Sequence, residues 1–532
     1  MELRARLAIA ALLILLVSAC GERASDGGKR ADGQVLRWAI GPEDEDEKPE
    51  NVLANLPINV AWNLFDPLLK VDDDLSPVPS VAERWEWSDG GRTITFHLRT
   101  DGRWTNGDPL TAHDYVNGWR YNLAELRPGP PLVFRGIIGA EAYTMCDPNK
   151  KDCEALWEGV GVKALDDSTL EVRLAEPQPW FPSLVGGRNC LCFSPIHAKT
   201  VERYGEDWAK PEHIVTSGPF KLVEWKRGES MTLAKDVRWR DAATVALERV
   251  EVRFLRDDET AAALEAGEID VAFAAAGLTT DTTVYPQLLT EYVGLDVDDI
   301  PDARQRRAMA LVVDRRTIAN KVYDGTYRPA TSLTADGAPD FERIGSHFLQ
   351  VDSGLAEARR LMSEAAAPRR AITLWLADVP EWRAAAAELR VAWSRLGIET
   401  TIKAIPEWEE YWRLADGGQL GDAFLSGWGY DFPHPVDFLD VWRCGSLSNH
   451  TGFCDRAYDR LLERAAREAD EDVRLDLYAE AEAFLTGATG AMPGIPIAWG
   501  GLPMVERSSV RETFVVNPAG QIDLTRVRFV RR

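Results

Sequence analysis

At 532 residues the chain exceeds what one hydrophobic core supports, and at about 150 residues per domain it points to about three domains. Its composition, 45% hydrophobic and 27% charged, is that of a globular protein rather than a disordered or fibrous one. A formal net charge of −24 excludes nucleic acid and electrostatic adhesion to anionic lipid.

In chain order the elements begin with Arg4 and Arg6, an apolar run from Leu7 to Val17, and the small residues Ser18 and Ala19 before Cys20. That run is too short for a bilayer span, which takes about 20 residues. A charged start, a short apolar core and small residues before a cut describe a secretory signal over residues 1–19. Val17-Ser18-Ala19-Cys20 resembles a bacterial lipobox. The resemblance implies cleavage before Cys20, acylation of its thiol and amine, and anchoring of the mature chain to a membrane. Residues 20–33 are small, polar and aperiodic, and read as a flexible tether. No later stretch is apolar for long enough to span a bilayer, so the body is expected outside the membrane on the extracytoplasmic side, held by its lipid tip.

Val35 to Ile40 is the first strand-like run. The acidic run Glu43-Asp44-Glu45-Asp46-Glu47 lacks the alternate spacing and glycine of a calcium loop and reads as a solvated loop, as does Asp72-Asp73-Asp74. Alternating apolar residues predict strands at Ile94-Phe96-Leu98, Leu170-Val172-Leu174, Val250-Val252-Phe254 and Ile372-Leu374-Leu376. Helical spacing joins Ala308, Leu311, Val312, Ile318 and Val322 into one predicted helix capped by Asp302. It also joins Trp382, Ala386, Leu389, Trp393 and Leu396, stopped by Gly397, and Tyr458, Leu461, Leu462 and Ala465, capped by Asp455. Strands interspersed with helices over this length mean α/β sheets.

Beyond Cys20, six cysteines remain, an even number that implies disulfides in an exported chain. Cys444 and Cys454 flank one loop, and Cys146 and Cys153 bracket a turn-forming insert, so each pair is a candidate bridge. Cys190 and Cys192 are two apart, an awkward spacing, and their partners stay open. Nineteen tryptophans are many, and some are expected to line a ligand site. The sequence contains no G-x-S-x-G, H-E-x-x-H, phosphate-loop or G-x-G-x-x-G motif, and its seven histidines lack metal-ligand spacing. The reading is therefore of a binding protein with no catalytic residues, no cofactor and no metal.

Several segments, in order, resemble one family. Trp104-Thr105-Asn106-Gly107-Asp108-Pro109-Leu110-Thr111-Ala112-His113-Asp114-Tyr115-Val116 is the first, followed by Ser217-Gly218-Pro219-Phe220-Lys221-Leu222 with Glu224-Trp225. Leu264-Glu265-Ala266-Gly267-Glu268-Ile269-Asp270 and the stretch from Arg304 to Ala319 come next. Gly427-Trp428-Gly429-Tyr430-Asp431-Phe432-Pro433-His434-Pro435 and Tyr458-Asp459-Arg460-Leu461-Leu462 complete the set. Together they are similar to the large peptide-binding proteins of ABC importers, the oligopeptide- and dipeptide-binding class of solute-binding protein family 5. The matches run from about Val35 to Ile497.

The resemblance implies a two-lobed periplasmic-binding-protein fold of class II, the large three-domain type, with a hinge of two crossing strands near Tyr292–Leu295 and Ile497–Gly500. Lobe I would be discontinuous, 34–75, 186–294 and 499–532, with a small accessory domain at 76–185 and lobe II at 295–498. Its expected partners are a peptide held in the interlobe cleft and an ABC permease with its ATPases, the receptor itself being a monomer. Asp431 matches the family acid that pairs with a peptide's α-ammonium. Backbone groups at Trp428 and Tyr430 would pair with the peptide as an added strand does. Trp408 matches an aromatic lining a side-chain pocket, and Asn63 and Phe65 match a loop of the opposite lobe. His434 stands where the family carries a second acid. Receptors for nickel chelates, oligosaccharides or opines, a peptide-sensing signalling lipoprotein and an extracytoplasmic hydrolase are the alternatives.

Overall fold

The computed structural model describes residues 34–43, 57–127, 132–149, 152–187, 191–274, 282–345, 348–352 and 354–530. The signal segment, Cys20, the tether to residue 33 and Cys190 lie outside the described residues. The strands of the first half are β1 (Val35–Ile40), β2 (Leu69–Val71), β3 (Pro77–Pro79), β4 (Ala82–Ser88), β5 (Thr93–Leu98), β6 (Val162–Asp166), β7 (Thr169–Arg173), β8 (Phe220–Lys226), β9 (Ser230–Lys235) and β10 (Arg249–Phe254). Those of the second half are β11 (Val271–Phe273), β12 (Thr282–Leu295), β13 (Arg328–Pro329), β14 (Ala371–Ala377), β15 (Glu399–Ile405), β16 (Ala423–Gly429) and β17 (Gly494–Glu506). Period-two patterning forms the strands where it predicts them: Ile94, Phe96, Leu170, Val172, Val250, Val252, Leu374 and Leu376 are fully buried.

Among the described residues one sheet of eleven strands runs β15-β14-β16-β12-β17-β11-β1-β10-β9-β8, with β13 on the side of β17. A separate antiparallel sheet, β4-β5-β7-β6, lies under the helix Ala112–Glu125. Its residues Ile94, Phe96, Leu170 and Val172 share one apolar core with Leu36, Trp38, Val250 and Met504, so this sheet packs onto the lobe that carries β1 and β10. A second core holds Val293, Leu374, Trp393 and Ile495, and a third, beside it, Tyr292, Trp442, Tyr458 and Tyr478. β12 and β17 run through both halves, pairing along nearly their whole length from Thr282↔Val505 to Gly294↔Gly494. Their register shifts between Pro286 and Thr290, and again between Glu291 and Tyr292. Leu288, Trp499, Phe438 and Ala519 form a small cluster at this changeover.

Most of the family-like motifs turn out to be folding chemistry. Trp104 is fully buried, and Thr111 and Asp114 cap the helix that follows. Asp270 is fully buried and accepts Arg37 Nε (3.0 Å) and Nη2 (2.8 Å) from β1. Arg315, also fully buried, donates Nε to the Pro496 carbonyl of β17 (2.8 Å). The predicted helix over Ala308–Val322 is two helices, Ala303–Leu311 and Arg315–Lys321. Asp314 ends the continuity by accepting the Thr317 N–H, a second N-cap inside the stretch. Asp302 and Asp455 cap as expected, accepting from Arg304 N and Ala457 N. Gly397, at φ +71°, follows the helix Pro380–Ser394 as its stop. Cys146–Cys153 and Cys444–Cys454 are bridged, and Cys192 is oxidised as well.

Candidate functional site

β14 pairs in parallel with both β15 and β16, so the carboxyl ends of the three strands open on the same side. In open α/β sheets ligands bind outside those ends, where the strand order reverses. Here the order β15-β14-β16 places there the starts of the helices Pro380–Ser394 and Trp408–Asp416 and the segment that follows β16. Trp408, Trp428, Tyr430 and Asp431 all fall at this end.

β16 touches β14 only at Ala423 and Phe424 and runs on to Gly429 with its other edge on β12. Among the described residues no strand pairs with the first edge over 425–429. Tyr411 Oη donates to the Leu425 carbonyl there. Gly429 and Asp431 are exposed. The backbone around Asp431 is fixed from behind by Asp437, a buried residue of the helix Pro435–Asp440. Its Oδ2 accepts both the Trp428 indole N–H (3.1 Å) and the Asp431 N–H (3.0 Å). Burial first, and the Asp431 charge second, hold the Asp437 carboxyl well above the usual carboxylate range.

The segment after β16 is seated against the first lobe. Tyr430 donates its hydroxyl to the Ala519 carbonyl, and Phe432 packs on cores of both halves. The Trp180 ring lies 6.1 Å from the His434 ring. The Tyr430 N–H is used within the protein, bonding the Leu288 carbonyl (3.0 Å). His434 brings no positive charge in place of the family acid: burial pushes its imidazole down to about 3, and Nδ1 accepts the Val436 N–H.

Trp408 stands 47% exposed at the start of its helix, its ring 5.8 Å from Trp382 and 5.6 Å from Trp412. Asn63 and Phe65 sit elsewhere, buried in the first lobe. Asn63 spends its amide on the Asn59 and Ile522 carbonyls and the Leu524 N–H, and Phe65 packs within the core. Both side chains are occupied in holding the lobe together.

Beside β16 a cavity of about 370 Å³ joins the lobes, with Ala274 and Pro503 on one side and Glu291 on the other. Glu291 pairs with Gly427 across β12 and β16 and is only 9% exposed. Its Oε2 accepts the Trp382 indole N–H at 3.1 Å. Tyr323 and Tyr327, stacked 4.2 Å apart, form a further wall. Glu291, Tyr323, Tyr327 and Asp437 carry no signal of a site in the sequence, and Trp382 shows there only as part of a helix face.

The profile of the bacterial extracellular solute-binding proteins, family 5 middle region, matches residues 76–449. The chain is 31% identical to the probable deoxycholate-binding periplasmic protein YgiS of Escherichia coli, over 90% of this chain and 92% of that protein. It is 30% identical to the periplasmic oligopeptide-binding protein OppA of Salmonella typhimurium, over 91% of each. The unliganded open form of the murein tripeptide-binding protein MppA superposes with a TM-score of 0.80 at 24% identity, covering 94% of this chain and 98% of that one. A complex of Haemophilus influenzae OppA with RPPGFSPFR superposes at 0.68 and 23% identity, covering 94% and 100%. Both likenesses show the fold, two α/β lobes of the class II binding-protein type joined by crossing strands. With the profile over 76–449 and full-length relatives at 30% and 31% identity, the chain belongs to the bacterial extracellular solute-binding proteins of family 5.

Proposed function

We propose that the protein captures peptides in the cleft at the carboxyl ends of β14–β16 and delivers them to an ABC permease. The observation that carries this is the edge of β16 over 425–429, which no described strand pairs, with the exposed Asp431 two residues beyond the strand's end. A peptide of any sequence offers a backbone that can pair as an added strand and an α-ammonium that needs a carboxylate. Asp431 is the carboxylate and the edge at Trp428 the strand partner, while Trp408 lines a side-chain pocket. Relatives named for peptide binding, and a related structure with a nonapeptide bound, support the reading. The role is that of a monomeric receptor and not of an enzyme, exported by its signal segment and anchored through an acylated Cys20. The lobes are the discontinuous 34–75, 186–294 and 499–532 carrying 76–185, and the 295–498 segment.

A second reading takes its motive from the relative named for deoxycholate, a carboxylic acid. Asp431, and the acidic cavity beside β16, oppose an anionic ligand. Calorimetry with di- to hexapeptides and with deoxycholate, on wild type and Asp431→Asn, separates the two. Peptides that bind wild type and lose at least tenfold in the variant, about 1.4 kcal/mol, establish the ammonium role. Deoxycholate binding without peptide binding rejects it. Release of a Cys20→Ser variant from the membrane fraction tests the anchor.

A further inference from the structure

The cavity beside β16 is chemically one-sided. Glu291, Asp324 and Glu381 line it, and no Lys, Arg or His does among the described residues. Glu291, 9% exposed, takes one hydrogen bond, from Trp382, and no described cation pairs with it. The Tyr323 hydroxyl in the same wall is buried with no hydrogen-bond partner, its residue 8% exposed. A buried carboxylate without a cation and a buried hydroxyl without a partner are each costly arrangements. Glu291 and Tyr323 both line one cavity that bridges the lobes, as do Trp382 and Tyr327.

The complement of this wall is a group with several N–H donors and a positive charge. An ammonium brings three donors, a guanidinium five, and neither accepts. Such a group supplies the donors that the Glu291 carboxylate and the Tyr323 oxygen lack, and aromatic rings attract it. An anion meets three carboxylates, and a neutral apolar group leaves both polar atoms unpaired. A metal ion is disfavoured because, among the described residues, no three His, Cys, Asp or Glu side chains converge to hold one.

We propose that this cavity is a second cation site, in which Glu291 and Tyr323 bind the side-chain ammonium or guanidinium of a captured basic peptide, separately from the α-ammonium at Asp431. The assignment of that cation to a peptide rests on the peptide-capture reading. The cation chemistry of the cavity does not.

The test is calorimetry on the purified protein with Lys-Ala-Ala, Ala-Lys-Ala and Ala-Ala-Lys, each against its norleucine counterpart, and with cadaverine as a free alkyldiamine. At one lysine position or more, wild type is expected to prefer lysine over norleucine at least tenfold. Glu291→Gln abolishes that preference and leaves the norleucine peptides within twofold, whereas Asp431→Asn weakens lysine and norleucine peptides alike. Tyr323→Phe lowers lysine affinity about threefold without moving norleucine affinity, and decides the matter should Glu291→Gln not fold. Equal binding of lysine and norleucine peptides by wild type, or a preference that survives both Glu291→Gln and Tyr323→Phe, overturns the site. If no tripeptide binds, the peptide reading has failed and cadaverine decides. Saturable binding that Glu291→Gln weakens tenfold then keeps the cation site, and no binding, or binding equal in both proteins, removes it.

Discussion

Burial pushes the Glu291 carboxyl up from its ordinary 4.5 to about 7, the Trp382 hydrogen bond opposing and the nearby Glu381 charge assisting. Between those two values the ligand-free folded protein keeps a proton that the unfolded chain releases. The stability Glu291 contributes is therefore fully present below pH 4.5 and is lost as pH rises through about 7. The loss amounts to about 3 kcal/mol at about 1.36 kcal/mol for each tenfold change in proton affinity. Glu291→Gln removes the charge but keeps the acceptor for Trp382. Urea unfolding of the ligand-free proteins is expected to give equal stabilities near pH 4.5 and a variant more stable by up to about 3 kcal/mol at pH 8. A difference that stays flat across that range would mean Glu291 is not held as described. The comparison has to be with the variant, because His434 runs the other way: its stability is present above pH 6.5 and lost as pH falls toward about 3.

Asp437 makes a second prediction at the same scale. It holds the Trp428 indole and the Asp431 backbone through one oxygen, so Asp437→Ala releases both groups while Asp431 remains. Peptide affinity is expected to fall about tenfold by calorimetry, the cost of losing about 1.4 kcal/mol of positioning. Asp437→Asn retains an acceptor and is expected to stay within about threefold. Equal effects of the two would point to the charge of Asp437 instead of its bonds.

At the scale of elements, the two crossing strands depend on close approach. Gly501 of β17 lies against the Thr326 carbonyl, and a Cβ added there would also come within 2.8 Å of Val284 Cγ1 on β12. Gly501→Ala therefore forces the Thr326 backbone away from β17 and crowds Val284, and is expected to cost about 1–3 kcal/mol, measured by urea unfolding. A neutral result would mean that the hinge pairing yields without strain. The sequence makes the individual elements legible wherever one short period suffices. β5, β7, β10 and β14 follow from alternation, and the helix Pro380–Ser394 follows from one apolar face ended by Gly397. It misleads over Ala308–Val322, where apolar spacing continues across a turn and only the Asp314 cap marks the break. At the site the motif residues Trp428, Tyr430 and Asp431 are legible because they are neighbours in the chain. Glu291 and Trp382 are not: 91 positions separate them, and only the pairing of β12 with β16 turns Glu291 toward the helix that carries Trp382. Asn63 and Phe65 show the converse, a motif whose residues serve packing.

At the scale of the molecule, two bodies of apolar packing meet through two strands and through the segment after β16, whose Phe432 packs on cores of both halves. One gathers Trp38, Trp104, Val250 and Met504, the other Val293, Leu374, Trp393 and Ile495, and the cluster around Leu288 and Trp499 between them is small. A junction of two strands, one small cluster and one segment suits hinge closure about a ligand, and it also allows the lobes to unfold separately. Trp393 is fully buried in the second body and donates its indole N–H to the Met309 carbonyl (3.2 Å). Trp393→Ala removes about 3–5 kcal/mol from that body alone. Scanning calorimetry of the ligand-free variant is expected to resolve two transitions, the lower one belonging to the second lobe. A bound peptide touching both lobes adds about 2.7 kcal/mol at one hundred times its Kd. It therefore raises both transitions and draws them together, because each lobe must release the ligand before it melts. A single transition in the ligand-free variant, displaced as a whole, would mean that β12 and β17 couple the lobes into one cooperative unit, and that closure bends a structure whose halves have no separate stability.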